Sequence, residues 1–320
     1  MQIIASLVFV LIWSTGFIVA RAIGDAPQTF LFCRFLGAAI ILGLACVGLR
    51  IVVTRLPHRA RLWKPAAALV GESTTEPGAG VRTVWTMLLI GALVNGAYLC
   101  LSYFAVVDGF PAGIMALVGG WQPVLTLVLT ALLVRRGPNR SVLLGVGVSL
   151  IGIAFVLVPG LVGTTGDVSV AHVLLAFTAV TCLSLGTIAQ KHVAAHPLLP
   201  TLAWQSLGAA GVAFVAAMLA DEAGADFGPA FVAGLVWSVL GISVVAMLIM
   251  VHLVRVRSAS YVSALVLGAP PLAALEAALL FGERLSFVQW TGTVLTLVGV
   301  GLVVLVPQGS PPEKDLRPSR

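Results

Sequence analysis

Continuous apolar runs of about 20 residues recur along this chain, which is the length a helix needs to cross a bilayer. Bounded by glycine, proline or charge, they fall at 3–22, 28–49, 84–106, 111–134, 140–158, 170–191, 198–220, 229–254, 258–281 and 286–306. Their apolar positions do not alternate every second residue, so they predict helices and not the strands of a barrel. The first run follows only Met1 and Gln2 and ends without a small-x-small cleavage site, so it is read as a retained span.

Composition agrees. Of 320 residues, 59% are hydrophobic and 9% charged, with a mean hydropathy of +1.09. A soluble domain carries about 25% charged residues. The expected fold class is therefore an all-α integral membrane protein of ten transmembrane helices, with the lipid bilayer as its solvent. The net charge of +6 and pI near 9.6 would suit nucleic acid, but most basic residues sit in short loops between the runs. No nucleic-acid partner is expected. Cys33, Cys46, Cys100 and Cys182 lie inside spans without ligand spacing, so no metal, cofactor or disulfide is expected. His58, His172, His192, His196 and His252 sit at or beyond span ends, where they suit interfacial roles.

Charge also orients the chain. The loops after spans 2, 4, 6 and 8, with the tail, hold fifteen Lys and Arg residues, whereas the opposite loops hold only Arg21 and Arg284. The positive-inside rule then places both termini in the cytoplasm of a multi-pass protein of the cytoplasmic (inner) membrane. Asp25, Asp108, Asp167, Asp221, Glu222, Asp226 and Glu283 fall outside. The longest loop, 50–83, joins a basic stretch (RLPHRARLWKP) to a linker (GESTTEPGAG), a composition that fixes topology and touches anionic lipid.

The two halves resemble each other. Ser14–Arg21 aligns with Ser184–Lys191, and RFLGAA at 34–39 with QSLGAA at 205–210. Beyond the long loop the offset becomes 147: Pro123 matches Pro270, and GVGVSLIGIAFVLV at 145–158 answers GTVLTLVGVGLVVL at 292–305. The halves are residues 1–160 and 161–307, with a cytoplasmic tail at 308–320. Five spans is an odd number, so the second half enters the membrane inverted. Inverted repeats are characteristic of secondary transporters, with the solute site at the midplane between repeats.

Trp13-Ser14-Thr15-Gly16, Arg34 early in span 2, Pro270-Pro271, LLFGERLSFVQWTG at 279–292 and LTLVGVGLVV at 295–304 together resemble the EamA-like transporters of the drug/metabolite transporter superfamily. The resemblance spans both repeats and implies a ten-helix exporter or importer of small metabolites or drugs. One departure stands out. The Gly-Glu pair that often follows the fourth helix of each repeat is present as Gly282-Glu283, but Arg135-Arg136-Gly137 occupies the first half, so Glu283 is read as a loop residue.

Two ionisable residues lie inside spans, Arg34 and Glu276, where burial costs about 2.5–3.5 kcal/mol unless a partner or cavity receives them. Counting about 1.5 Å per residue from the span ends puts both in the outer third of the hydrocarbon, within reach of each other. Three readings follow: a permanent ion pair, a pair that Glu276 releases on protonation or exchange for solute, or Arg34 snorkelling to the surface. Their repeat counterparts are Gln205 and Leu129, so charge lies on one side only.

Near the midplane Trp13, Ser14 and Thr15, Asn95 and Tyr98, Trp121 and Gln122, and Thr181 and Ser184 form a polar and aromatic set. Gly119-Gly120-Trp121-Gln122-Pro123 and Gly268-Ala269-Pro270-Pro271 interrupt spans 4 and 9 at matching depth, Pro123 and Pro270 marking the helix breaks. Trp13, Ser14, Arg34, Asn95, Trp121 and Gln122 are thus expected to bind solute, with Glu276 as the coupling residue. The expected function is secondary active export of a small molecule (an amino acid, an amine or an aromatic compound) by alternating access, with protons as a candidate coupling ion. The alternatives are a passive channel and an intramembrane enzyme, but no histidine lies at membrane depth and His-Glu-x-x-His is absent. Gly145-Val146-Gly147 and Gly299-Val300-Gly301 suit helix packing within one chain or between two, leaving monomer and homodimer open.

Overall fold

The computed structural model describes residues 2–23, 26–55, 80–134, 140–161, 168–193, 196–222, 227–256, 266, 269–282 and 285–305. Residues 56–79 of the long loop, the tail from 306, and Asp25, Asp167, Asp226, Glu283 and Arg284 lie outside them. The described elements are helical, with no strand among them.

In chain order, α1 (Gln2–Ser14) and α2 (Gly16–Ala22) form the first span, and α3 (Pro27–Arg55) the second. The third runs from α4 (Val81–Gly91) through a π-helical stretch (Ala92–Ala97) into α5 (Tyr98–Val107). α6 (Ala112–Gly119) and α7 (Gln122–Val134) make the fourth, and α8 (Arg140–Leu161) the fifth. The second half repeats the order with α9 (Val170–Ala189), α10 (Leu198–Leu219), α11 (Pro229–Val236), a π-helical stretch (Trp237–Ala246), α12 (Met247–Val256), α13 (Ala269–Phe281) and α14 (Phe287–Leu305). Among the described residues, seven stretches are long and apolar enough to cross a membrane: Ile4–Arg21, Pro27–Val53, Val81–Val107, Ala112–Thr130, Val170–His192, Leu198–Leu219 and Pro229–Met250. Leu143–Val156, Leu272–Phe281 and Phe287–Gly299 are shorter apolar helices.

Two pairs of elements pack with their own repeat counterparts, α3 with α10 and α8 with α14, and α6, the first part of the fourth run, packs against α13, the second part of its counterpart run. An element can touch its own copy only near the axis that relates two halves, so these contacts mark the centre of the molecule. Glycine permits the closest of them. A Cβ on Gly152 would collide with Thr296, and one on Gly299 with Ser149 and the Gly145 carbonyl. Gly145 and Gly299 therefore pack helices within one chain, whereas Gly147 and Gly301 face open space. A Cβ on Gly120 would stand 2.7 Å from Pro270 Cγ, so the two proline-marked segments meet each other.

Local chemistry explains the interruptions. The break between α6 and α7 falls at Gly120 and Trp121, and Pro123 sits in the first turn of α7, where a missing N–H costs nothing. The break at Thr15 carries no proline. There Ser14 and Thr15 turn their hydroxyls back onto the Leu11 and Ile12 carbonyls at 2.9 and 2.7 Å, a bond type that bends helices. The two π-helical stretches correspond: at the offset of 147, Ala92–Ala97 falls on 239–244, inside Trp237–Ala246. In the second, Ser243 Oγ donates to the carbonyl of Ser238, five residues back, at 3.0 Å.

A buried cluster that includes Phe30, Tyr103, Phe110, Met115, Trp121 and Val180 fills the interior, while Leu7, Leu44, Leu89, Leu132, Leu219 and Leu279 stand exposed on the outward faces. Such a surface is suited to lipid and not to water.

Candidate functional site

Three consecutive residues at the break of the first span each hold a partner from a different part of the fold. Ser14 Oγ donates to Glu276 Oε1 of α13 at 2.7 Å. Thr15 Oγ1 accepts the indole N–H of Trp237, the first residue of the second π-helical stretch, at 2.9 Å. The Gly16 carbonyl accepts the hydroxyl of Tyr103 on α5 at 2.7 Å, and Tyr103 in turn accepts from Arg34 Nη1 at 3.4 Å. The stretch 14–16 thus gathers both intramembrane charges without letting them meet.

A permanent ion pair of Arg34 with Glu276 is not present in this structure. No ion pair joins them within 4.0 Å; among the described residues that distance is met by His172 and Asp108. Snorkelling is also excluded, because Arg34 is 6% exposed, with its guanidinium carbon 5.6 Å from the Phe35 ring centre. Each charge keeps one buried atom without a hydrogen-bond partner, Nε of Arg34 and Oε2 of Glu276.

The other expected residues separate into groups. Gln122 Nε2 lies 3.2 Å from the hydroxyls of both Thr126 and Thr187, linking α7 to α9, and Ser184 Oγ reaches the Gln122 carbonyl at 3.5 Å. Asn95 sits in the first π-helical stretch and is partly exposed. Tyr98 lies edge-on to Phe17 at 6.4 Å, with its hydroxyl beside Gly119. Trp121 is 6% exposed: its indole donates to Ser149 at 2.8 Å and its ring meets Phe177 edge-on, so it wedges α7, α8 and α9 together. Trp13 lies tilted against Phe9, ring centres 5.6 Å apart, within an apolar cluster that includes Ile242, Ala246 and Leu253. Gln205, the counterpart of Arg34, exchanges amide hydrogen bonds with Gln190 at 2.8 and 3.3 Å. A cavity of about 210 Å³ lies elsewhere, among Leu42, Leu49, Leu199, Leu202, Met247 and Leu248, and its lining is apolar apart from Ser243.

Three helix ends are held by side chains that the sequence did not single out. Glu222 Oε1 and Oε2 accept from the backbone N–H groups of Gln28 and Thr29 at 3.2 and 2.7 Å, capping α3. His172 holds a capping box with Ser169, its Nδ1 accepting the Ser169 N–H at 3.3 Å, while its Nε2 lies 3.0 Å from Asp108. Gly109, at φ +108, supplies the turn that presents Asp108. The same device opens α14: Ser286 and Gln289 form a reciprocal cap, and Gln289 Nε2 donates to the Val156 carbonyl at 3.2 Å. The signal was present as Ser-x-x-His and Ser-x-x-Gln before apolar runs.

Comparison with known proteins assigns the family. No curated protein matches the chain by sequence. A solved crystal structure, described only as that of a protein, shares the fold: its TM-score is 0.57 at 18% identity, covering 94% of this chain and 95% of its own. The model of the EamA-like transporter family matches residues 1–158 and again 171–305. The chain belongs to the EamA-like transporter family and is a membrane transporter of two family repeats.

Proposed function

We propose that the protein is a secondary active transporter that exports a small metabolite or drug-like solute from the cytoplasm by alternating access, with proton coupling through Glu276. Two inverted repeats, residues 1–160 and 161–307, move against each other about the central contacts, with both termini in the cytoplasm. Ser14, Arg34, Asn95 and Gln122 face the solute path. Trp13 and Trp121 shape it from behind.

The observation that carries this reading is the bond from Ser14 to Glu276, which ties α1 of the first half to α13 of the second. Ser14 has one hydroxyl proton and two acceptors in reach, Glu276 Oε1 at 2.7 Å and the Leu11 carbonyl at 2.9 Å. While Glu276 is ionised, Ser14 donates to it in a charge-assisted bond, roughly twice as strong as a neutral one. Once Glu276 is protonated it becomes the donor, and the Ser14 proton returns to Leu11. Proton uptake thus weakens the tie between the halves without stranding the hydroxyl. A barrier between two arrangements of the halves is then set by the charge on Glu276.

The test compares extracellular metabolites of cells expressing the wild type, Glu276→Gln and empty vector, with toxic amino-acid analogues and amines as a parallel growth challenge. Enrichment of one compound class outside wild-type cells alone supports export with Glu276 as the coupling residue. Equal export by a stably expressed Glu276→Gln protein refutes the role of Glu276.

A further inference from the structure

Arg34 is more than nine-tenths buried, and its charge has no acidic neighbour within 4.0 Å among the described residues. A guanidinium carries five N–H donors in a planar fork. Tyr103, 3.4 Å from Nη1, is its one hydrogen-bond partner among the described residues, and that hydroxyl spends its own proton on the Gly16 carbonyl at 2.7 Å. Nε is buried without any partner. Nη1 is thus directed at Tyr103, while Nε on the other side of the fork has no partner. Phe35 lies against the guanidinium carbon, and Phe30 stacks on Tyr103 at 6.4 Å. Among the described residues it is a cation without an anion, beside the aromatic rings of Phe35 and Tyr103.

The missing partner must accept hydrogen bonds, because every atom Arg34 offers is a donor. It must be negative, because a neutral acceptor leaves the buried charge uncompensated. Two parallel N–H groups on one edge match the two oxygens of a carboxylate, whereas a halide meets them as a single point. Phe30, Phe35 and Tyr103, all buried in the core cluster, surround the guanidinium with aromatic side chains. Glu276 is held apart from this site by Ser14, so it does not compete for the guanidinium.

We propose that Arg34, through the side of its fork that carries the unpartnered Nε, binds the carboxylate of the transported solute, making this a carrier of monocarboxylates with an apolar remainder. The inference rests on the transporter reading above, and it assigns Arg34 to the solute and Glu276 to the proton. A cationic amine without a carboxylate is then a poor substrate.

Binding is tested without transport, on the purified full chain in detergent at pH 7.5. The melting temperature is followed while sodium acetate, sodium benzoate or sodium chloride replaces a bulky sulfonate buffer anion at constant ionic strength. Acetate and benzoate should raise the melting temperature of the wild type saturably, benzoate at lower concentration, and leave Arg34→Gln unmoved. If Arg34→Gln does not fold, Arg34→Lys serves, because it keeps the charge and loses the fork; its half-saturating acetate concentration should rise about tenfold. No response of the wild type, or an equal response of the variant, overturns the proposal. Chloride acting as strongly as acetate overturns the carboxylate assignment in favour of an inorganic anion. A failure to export in cells bears on the transporter reading and leaves this binding result standing.

Discussion

Ser14 and Glu276 stand 262 positions apart in sequence and share a hydrogen bond of 2.7 Å, the contact by which α1 of one half holds α13 of the other. Two residues further on, Gly16 takes the Tyr103 hydroxyl that also faces Arg34. Both intramembrane charges are therefore linked to one stretch of three residues, Glu276 directly and Arg34 through Tyr103.

Removing the serine hydroxyl should hurt more than removing the carboxylate charge. Ser14→Ala leaves Glu276 with neither oxygen bonded among the described residues, at a cost of about 1–3 kcal/mol. Glu276→Gln keeps an acceptor for Ser14, so its thermal stability should stay near that of the wild type while the pH dependence of export disappears. Melting curves of both purified variants check the first part, and export measured across pH 5.5 to 8 checks the second.

Trp121→Phe should lower stability without altering apparent solute affinity. The indole bonds to Ser149, and its ring packs edge-on against Phe177. Loss of that buried bond costs about 1 kcal/mol. An unchanged half-saturating solute concentration beside a lowered melting temperature is the expected pair of results.

Glycines of one helix should respond in opposite ways. In α8, Gly152→Ala drives a methyl into Thr296 of α14 and should sharply reduce the yield of folded protein, whereas Gly147→Ala meets open space. There alanine gains helix propensity of about 0.8–1 kcal/mol. Fluorescence-detected size exclusion after heating distinguishes the two.

At the cap of α9, glutamine should replace histidine where alanine cannot. Gln289 already performs in α14 what His172 does in α9, accepting the cap N–H and donating across to a neighbouring element. His172→Gln should retain most of the stability, and His172→Ala should lose about 1 kcal/mol or more. Amide exchange in the first turn of α9 reports the cap directly.

Most of the frame was readable because a bilayer imposes one rule on every span: about 20 apolar residues, closed by charge, glycine or proline. The break at Gly120 and Trp121 was readable for the same reason, since Pro123 advertises it. The bend at Thr15 was not, because Ser and Thr mid-helix usually bond their own backbone without consequence. The π-helical stretches were hidden too, since an i to i−5 pattern leaves no composition signal. Arg34 and Glu276 were found by their charge alone, yet depth counting gave no rotation about the helix axis, so it could not show that Tyr103 and Ser14 stand between them. Aromatic character and depth marked Trp121, but they could not foretell its bond to Ser149 or its contact with Phe177.

The most direct test of the account uses inside-out membrane vesicles incubated with an extract of cytoplasmic metabolites, with and without an imposed proton gradient. Vesicles carrying the wild type should accumulate one class of solute above its outside concentration only when the lumen is acidic. Vesicles carrying Glu276→Gln should not respond to the gradient. Accumulation that stops at equal concentration in wild-type vesicles whatever the gradient would contradict coupled alternating access and identify a passive pathway.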